Sequence, residues 1–216
     1  MKLFDALSPA PRCLRMYLIE KGLMLDSVQV DVFAGENRQP DYLQHNPAGQ
    51  TPALLLEDGT CIAESMAIME YVEELHPEPP LIGSTPLERA LTRQWQRRVE
   101  LNITENMHNA YHYAEGRKRF EGRIPLAPEA AAGLKRVAQD RVAWLDGMIG
   151  GHRFIAGDRF TVADIWLYAW LDFGASVGQP FDRNLPNLGP WFARVAARSS
   201  AEASLHPDCQ PGGVRG

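Results

Sequence analysis

The feature that most constrains this chain is a change of hydrophobic period near residue 76. Before it, short apolar runs alternate with chain breakers at strand-like spacing. After it, apolar residues recur every three or four positions, the spacing of helices. The joint is "HPEPPLIGSTP", His76–Pro86, with four prolines in eleven residues. No regular element tolerates that density, so the stretch reads as extended linker. Two periods with a proline-rich joint predict an α/β domain over residues 1–80, a linker over 81–87 and an all-helical domain over 88–216.

Within the first part, "KLFD" reads as a strand, and "RCLRMYLIEKG" as a helix with Leu14, Leu18 and Ile19 on one face and Gly22 as its C-cap. "SVQVDVF", residues 27–33, alternates at period two like a half-buried strand. "PDYLQHNPAG" holds a short helix. "ALLLE" and "TCIAE" flank Asp58-Gly59, a strong hairpin signal. "SMAIMEYVEELH" then forms a helix with Ile68, Tyr71, Val72 and Leu75 facing inward. The order βαβ, hairpin, α is the outline of a thioredoxin-like domain.

In the second part, Leu91, Trp95, Val99, Ile103 and Met107 predict one long amphipathic helix. Leu134, Ala138, Val142, Leu145 and Ile149 predict another. "FTVADIWLYAWLDFGASV" is apolar nearly all round and reads as the central helix. Trp95, Trp144, Trp166 and Trp170 are expected in the core. "GPWFARVAARSS" is a last helix, followed by a polar tail expected to be disordered.

Composition narrows the function classes. Hydrophobic residues are 45% and charged residues 23%, ordinary for a globular protein. A net charge of -5 argues against nonspecific attraction to nucleic acid or anionic membrane. No run reaches bilayer-spanning length, and the first residues lack the apolar stretch of a signal peptide. Cys13, Cys61 and Cys209 are far apart, without metal-ligand spacing or a disulfide framework. The expectation is a reduced, cytoplasmic protein with no metal.

Three places in the first part could carry chemistry. Pro52 cannot donate to a sheet ladder and heads an apolar strand. A cis Thr51–Pro52 bond would turn the Thr51 N–H and C=O outward to pair with a bound peptide; taken alone, a trans proline that merely starts a strand is the commoner case. Glu64 and Ser65 stand where strand becomes helix. A helix start binds carboxylates, and an adjacent acid takes an ammonium, which together suit an α-amino acid. A plain capping serine beside a solvated glutamate explains the same residues. Ser8 lies in the first strand–helix loop. Its hydroxyl could favour a thiolate by hydrogen bonding, or serve as an ordinary turn serine.

Taken together, "GQTPAL…DG…IAESMAIMEYVEE", with "SPAPR" upstream and "FTVADI" downstream, strongly resembles the cytosolic glutathione transferases, in the right order over nearly the whole chain. The resemblance implies glutathione as co-substrate. It implies that Thr51 pairs with the cysteinyl part, that Pro52 is cis, that Gln50 reaches the peptide and that Glu64 and Ser65 grip the γ-glutamyl group. Asn37 and Arg38 become candidates for the glycyl carboxylate. Thr161 and Asp164 become an N-capping motif with a folding role. Ser8 falls where the serine of theta- and zeta-like members falls. The zeta-type double serine before cysteine is absent, since Pro9 and Ala10 follow Ser8, which speaks against a maleylacetoacetate isomerase. Cys13 reads as a buried core thiol.

The expected reaction is conjugation: Ser8 stabilises the glutathione thiolate, which attacks a small hydrophobic electrophile. The electrophile pocket is expected between the domains, where "NMHNAYHY" offers His108, Tyr111 and His112; interhelical packing accounts for this run equally well. A glutathione-dependent isomerase, dehalogenase or peroxidase, and a noncatalytic binding module, stay open as alternatives. A detoxifying role and a homodimer follow from the resemblance alone.

Overall fold

The computed structural model describes residues 1–216. Strand β1 (Lys2–Asp5) leads to helix α1 (Pro9–Glu20), β2 (Asp26–Gln29), the short α2 (Pro40–Leu43), β3 (Ala53–Leu55), β4 (Cys61–Ala63) and α3 (Ser65–Leu75). The remainder is helical. After α4 (Pro86–Val99), a π turn (Glu100–Thr104) runs into α5 (Glu105–Tyr113), followed by α6 (Arg117–Phe120), α7 (Ala131–Met148), α8 (Val162–Ser176), α9 (Leu188–Ala196) and α10 (Ser199–Ala203). No helix is long and apolar enough to cross a membrane.

Two compact units form. One comprises residues 1–81 together with 199–216, the other residues 82–198. The last segment, read from sequence as part of the helical half, therefore packs with the first unit. Its tail is not loose either. Fully buried Arg12 donates through Nη2 to the Ala201 carbonyl at 3.1 Å, and Arg15 Nε donates to the Ser204 carbonyl at 2.8 Å. Composition alone cannot reveal that two arginines on α1 supply the donors.

The sheet of the first unit has the order β2-β1-β3-β4. β1 and β2 are parallel, while β1–β3 and β3–β4 are antiparallel. Phe4 is opposite Ala53, and Ala53 is opposite Ala63. Leu14 and Leu18 of α1 are buried as expected, but Ile19 is 38% exposed. In α3, Ile68 and Val72 are buried, whereas Leu75 is 49% exposed at the helix end. β2 lies at the sheet edge with all four side chains exposed, so its alternation reports no buried face.

Lys21 closes the unit. Its ammonium donates to Glu73 (2.7 Å) and to the carbonyls of His76 (2.6 Å) and Pro79 (2.7 Å), satisfying all three protons. That pins the start of the proline-rich stretch, in which Glu78–Pro79 is cis.

In the second unit the expected single long helix is interrupted by the π turn. A strict four-residue spacing drifts about 40° per step around an α-helix, so its members cannot all share one face. Leu91 is accordingly 42% exposed, and Thr92 and Gln96 are buried in its place. The π turn resets the register, with Ile103 buried inside it and Met107 buried beyond it. Trp166 and Trp170 are core residues, but Trp95 and Trp144 are only half-buried, under the guanidiniums of Arg98 and Arg141.

Helix α8 is buried along almost its whole length. Its start is organised by Asp164, whose carboxylate accepts the backbone N–H of Ile155 (2.9 Å) and of Thr161 (2.9 Å), the Thr161 hydroxyl (3.1 Å) and Trp191 Nε1 (2.8 Å). Burial pushes this carboxyl up to about 6, against those hydrogen bonds, which hold it down. Asp164→Ala would orphan buried donors on three separate residues. It should cost about 3 kcal/mol or more in urea denaturation; a loss below about 1 kcal/mol would contradict the network's role.

Candidate functional site

The register determines which loops meet. β1 ends beside the start of β3, because the two strands are antiparallel with Phe4 opposite Ala53. β4 runs parallel to β1 across β3 and ends there too, with Ala63 opposite Ala53. The loop after β1 carries Ser8, the turn before β3 carries Gln50, Thr51 and Pro52, and the bend after β4 carries Glu64 and Ser65. All three therefore lie at one end of the sheet, and both α1 and α3 begin there.

Ser8 is the N-cap residue of α1, with Pro9 starting the helix. Its carbonyl accepts the Arg12 N–H at 3.1 Å, as an N-cap should, yet its hydroxyl makes no capping bond. The side chain is left for something else. Burial pushes the Cys13 thiol far up despite Arg12 and Arg15, and burial also raises Cys61.

The Thr51–Pro52 bond is cis. The turn before it is built from side chains. Tyr42 and Asn46 both donate to the Gln50 carbonyl, the latter at 2.8 Å, and Asn37 Nδ2 donates to the Gly49 carbonyl at 2.7 Å. Arg38 Nη1 donates to the Ala48 carbonyl at 3.1 Å. Gly49 has φ +62, and a Cβ there would stand 2.8 Å from Arg38 Nη1, so this corner requires glycine on both counts. Asn37 and Arg38 thus hold the turn itself. Desolvation pushes the Tyr42 phenol up to about 12, keeping it a donor to Gln50. Tyr42 and Asn46 went unrecognised in the sequence, although "NPAG" marks a turn that needs such support.

At the third loop the structure differs from the expected capping serine. Glu64 occupies the N-cap position of α3, and Ser65 is the first helical residue. The buried Ser65 hydroxyl donates to the Ala10 carbonyl at 3.1 Å, fastening the start of α3 to the first turn of α1. Glu64 is exposed, with φ 67 and ψ 119, the one non-glycine residue with positive φ. For a residue with a Cβ this conformation costs of order 1–3 kcal/mol.

His108, Tyr111 and His112 belong to the second unit and cluster on one face of α5. The two histidine rings lie 4.0 Å apart, His108 is 4.9 Å from Trp170, and His112 is 4.0 Å from Phe120. Tyr111 packs edge-on against Phe173 and its hydroxyl accepts Arg119 Nη1 at 3.0 Å. Burial, and then the neighbouring His112, push His108 down to about 3, so it is neutral near pH 7. No group of three or more His, Cys, Asp or Glu residues stands where it could hold a metal.

Comparison with known proteins matches residues 1–74 to the glutathione S-transferase N-terminal domain and residues 104–199 to the C-terminal domain. Among curated relatives, Saccharomyces cerevisiae glutathione S-transferase 2 is 32% identical, over 91% of this chain and 85% of that protein. A Pseudomonas aeruginosa maleylacetoacetate isomerase is 33% identical, over 91% of each. The crystal structure of a glutathione S-transferase domain-containing protein from Marinobacter aquaeolei superposes with a TM-score of 0.88 at 37% identity, covering 93% of this chain and all of that one.

The strain at Glu64 is directly measurable. Glu64→Gly should raise the stability of the free protein by about 1 kcal/mol in urea denaturation, strain relief exceeding the added entropy of the unfolded glycine. A lower midpoint would show that the backbone there is not strained.

Proposed function

This chain belongs to the glutathione S-transferase family, and we propose that it conjugates the glutathione thiolate to small hydrophobic electrophiles. The observation that carries the reading is the Ser8 hydroxyl: it sits at the start of α1 with no capping bond, at the sheet end that also presents Thr51 and Glu64. In this reading the Thr51 backbone pairs with the cysteinyl residue. Gln50 reaches the peptide, while Glu64 and the start of α3 at Ser65 take the γ-glutamyl ammonium and carboxylate, which an acid and a helix N-terminus suit. Pro52 sets the turn that aims Thr51.

Ser8 donates to the sulfur and so favours its ionised form. Lowering a thiol pKa by two units requires about 2.7 kcal/mol, within reach of one charge-assisted hydrogen bond aided by a helix start. The aromatic cluster of His108, Tyr111 and His112 receives the electrophile, with the neutral His108 offering a ring face and no charge. The reaction as proposed uses no metal. A homodimer, a cytoplasmic location and a detoxifying role belong to the same proposal.

The Pseudomonas aeruginosa relative favours a second reading, a glutathione-dependent isomerase. Turnover of maleylacetoacetate against a panel of model electrophiles separates the two. For the role of Ser8, Ser8→Ala should lower kcat by roughly 10- to 100-fold while glutathione affinity, measured by calorimetry, stays near that of the parent. Unchanged turnover rejects the thiolate role.

A further inference from the structure

The tail beyond α10 runs back to the loop that carries Ser8, and its path is governed by one imidazole. His206 is buried and engaged at both ring nitrogens. Nδ1 accepts the Asp208 backbone N–H at 3.1 Å, and Nε2 meets Gln29 Oε1. Gln29 turns its amide nitrogen to Asp5 Oδ2 at 3.2 Å, so the oxygen facing His206 can only accept. Nε2 therefore carries the proton and Nδ1 does not: the network specifies one neutral tautomer.

The same residue closes the tail. The His206 backbone N–H donates to the Gly216 carbonyl at 2.8 Å, and Cys209 Sγ lies 3.2 Å from the Val214 carbonyl. Gly216 is buried against the Ser8 loop, where a Cβ would stand 2.6 Å from Ser8 N, 2.8 Å from Ser8 Cα and 3.0 Å from the Leu7 carbonyl carbon. Only glycine approaches that closely. These three nearest neighbours are all backbone atoms, so the tail packs against the main chain of the loop.

We propose that neutral His206 is a positioning residue, which holds the tail closed so that Gly216 fixes the backbone presenting Ser8, and that protonating His206 releases this brace. The proposal rests on the reading of Ser8 as the donor to the thiolate. A second proton would turn Nδ1 into a donor facing the Asp208 N–H, donor against donor. Arg15 on α1, Asp5 on β1, Gln29 on β2 and Asp208 in the tail are the polar groups that face the ring. Arg15 opposes protonation. Asp5 favours it but is engaged with Arg15 at 2.5 Å, and Asp208 favours it from 3.7 Å in an exposed position. Burial and then Arg15 hold the imidazole below its ordinary range. A base depressed in the docked state stabilises docking fully above about pH 6.5, and that contribution is lost as the pH falls through the depressed value.

The test compares wild type, His206→Ala and Gly216→Val by kcat at saturating glutathione, from about pH 7.5 to about pH 5. Both variants should turn over roughly tenfold more slowly at the upper pH with glutathione affinity unchanged, as misplacement of a donor predicts. The ratio of wild type to His206→Ala should fall toward one at the lower pH, where wild type has also lost its brace. A ratio that does not change with pH, or wild-type turnover in both variants, overturns the proposal.

Amide exchange in residues 207–216 of wild type, corrected for intrinsic rates, should speed up on acidification; constant protection also overturns it. If His206→Ala does not fold, Gly216→Val and the exchange data decide. Ser8→Ala measured in parallel separates the failures. Normal turnover there sinks the reading of Ser8, whereas an impaired Ser8→Ala with a flat His206 ratio sinks the brace alone.

Discussion

The pairing of Phe4 with Ala53, and of Ala53 with Ala63, is the constraint on which the first unit's chemistry depends. Because the side-chain period of a strand is two, a one-residue slip would turn every buried side chain of the sheet outward, so the register is strongly specified. It brings three loops distant in sequence to one edge and starts two helices there. In the proposed reading, that arrangement is what would receive an anion and an extended peptide. The Ser65 hydroxyl on the Ala10 carbonyl then joins the two helix starts.

Within each unit, several buried charges are paired or hydrogen-bonded. Lys21 meets Glu73 and two carbonyls, Arg15 meets Asp5, and Asp164 collects donors from three residues. Each arrangement follows the rule that a buried ion is costly unless it is paired or hydrogen-bonded, although Arg15 Nη2 is left without a partner. These networks fix segments that apolar packing cannot: the proline-rich stretch, the tail and the loop before α8. The strained Glu64 is the opposite case, a local cost retained at an exposed corner.

Much of this was legible in the sequence. Asp58-Gly59 placed the hairpin, and the apolar run over residues 160–177 marked the buried helix. The family membership, and with it the fold class of a thioredoxin-like domain followed by a helical one, followed from motifs that stand in order. Other features had no local signal. Leu91 and Trp95 matched a stripe that a π turn redirects, and Ser65 looked like a cap although its hydroxyl is used between helices. The tail's composition suggested disorder because its partners, Arg12, Arg15 and Gln29, lie far away in sequence. Long-range donors of that kind are invisible to periodicity.

In the proposed function, one end of a small sheet holds a tripeptide with its thiol at Ser8. A crystal structure of the glutathione complex tests this most directly. The sulfur should lie within hydrogen-bonding distance of Ser8 Oγ, about 3–3.5 Å, with the cysteinyl backbone paired to Thr51 and the γ-glutamyl carboxylate at the start of α3. A peptide bound elsewhere, or a sulfur turned away from Ser8 while the rest of the peptide is in place, would contradict it.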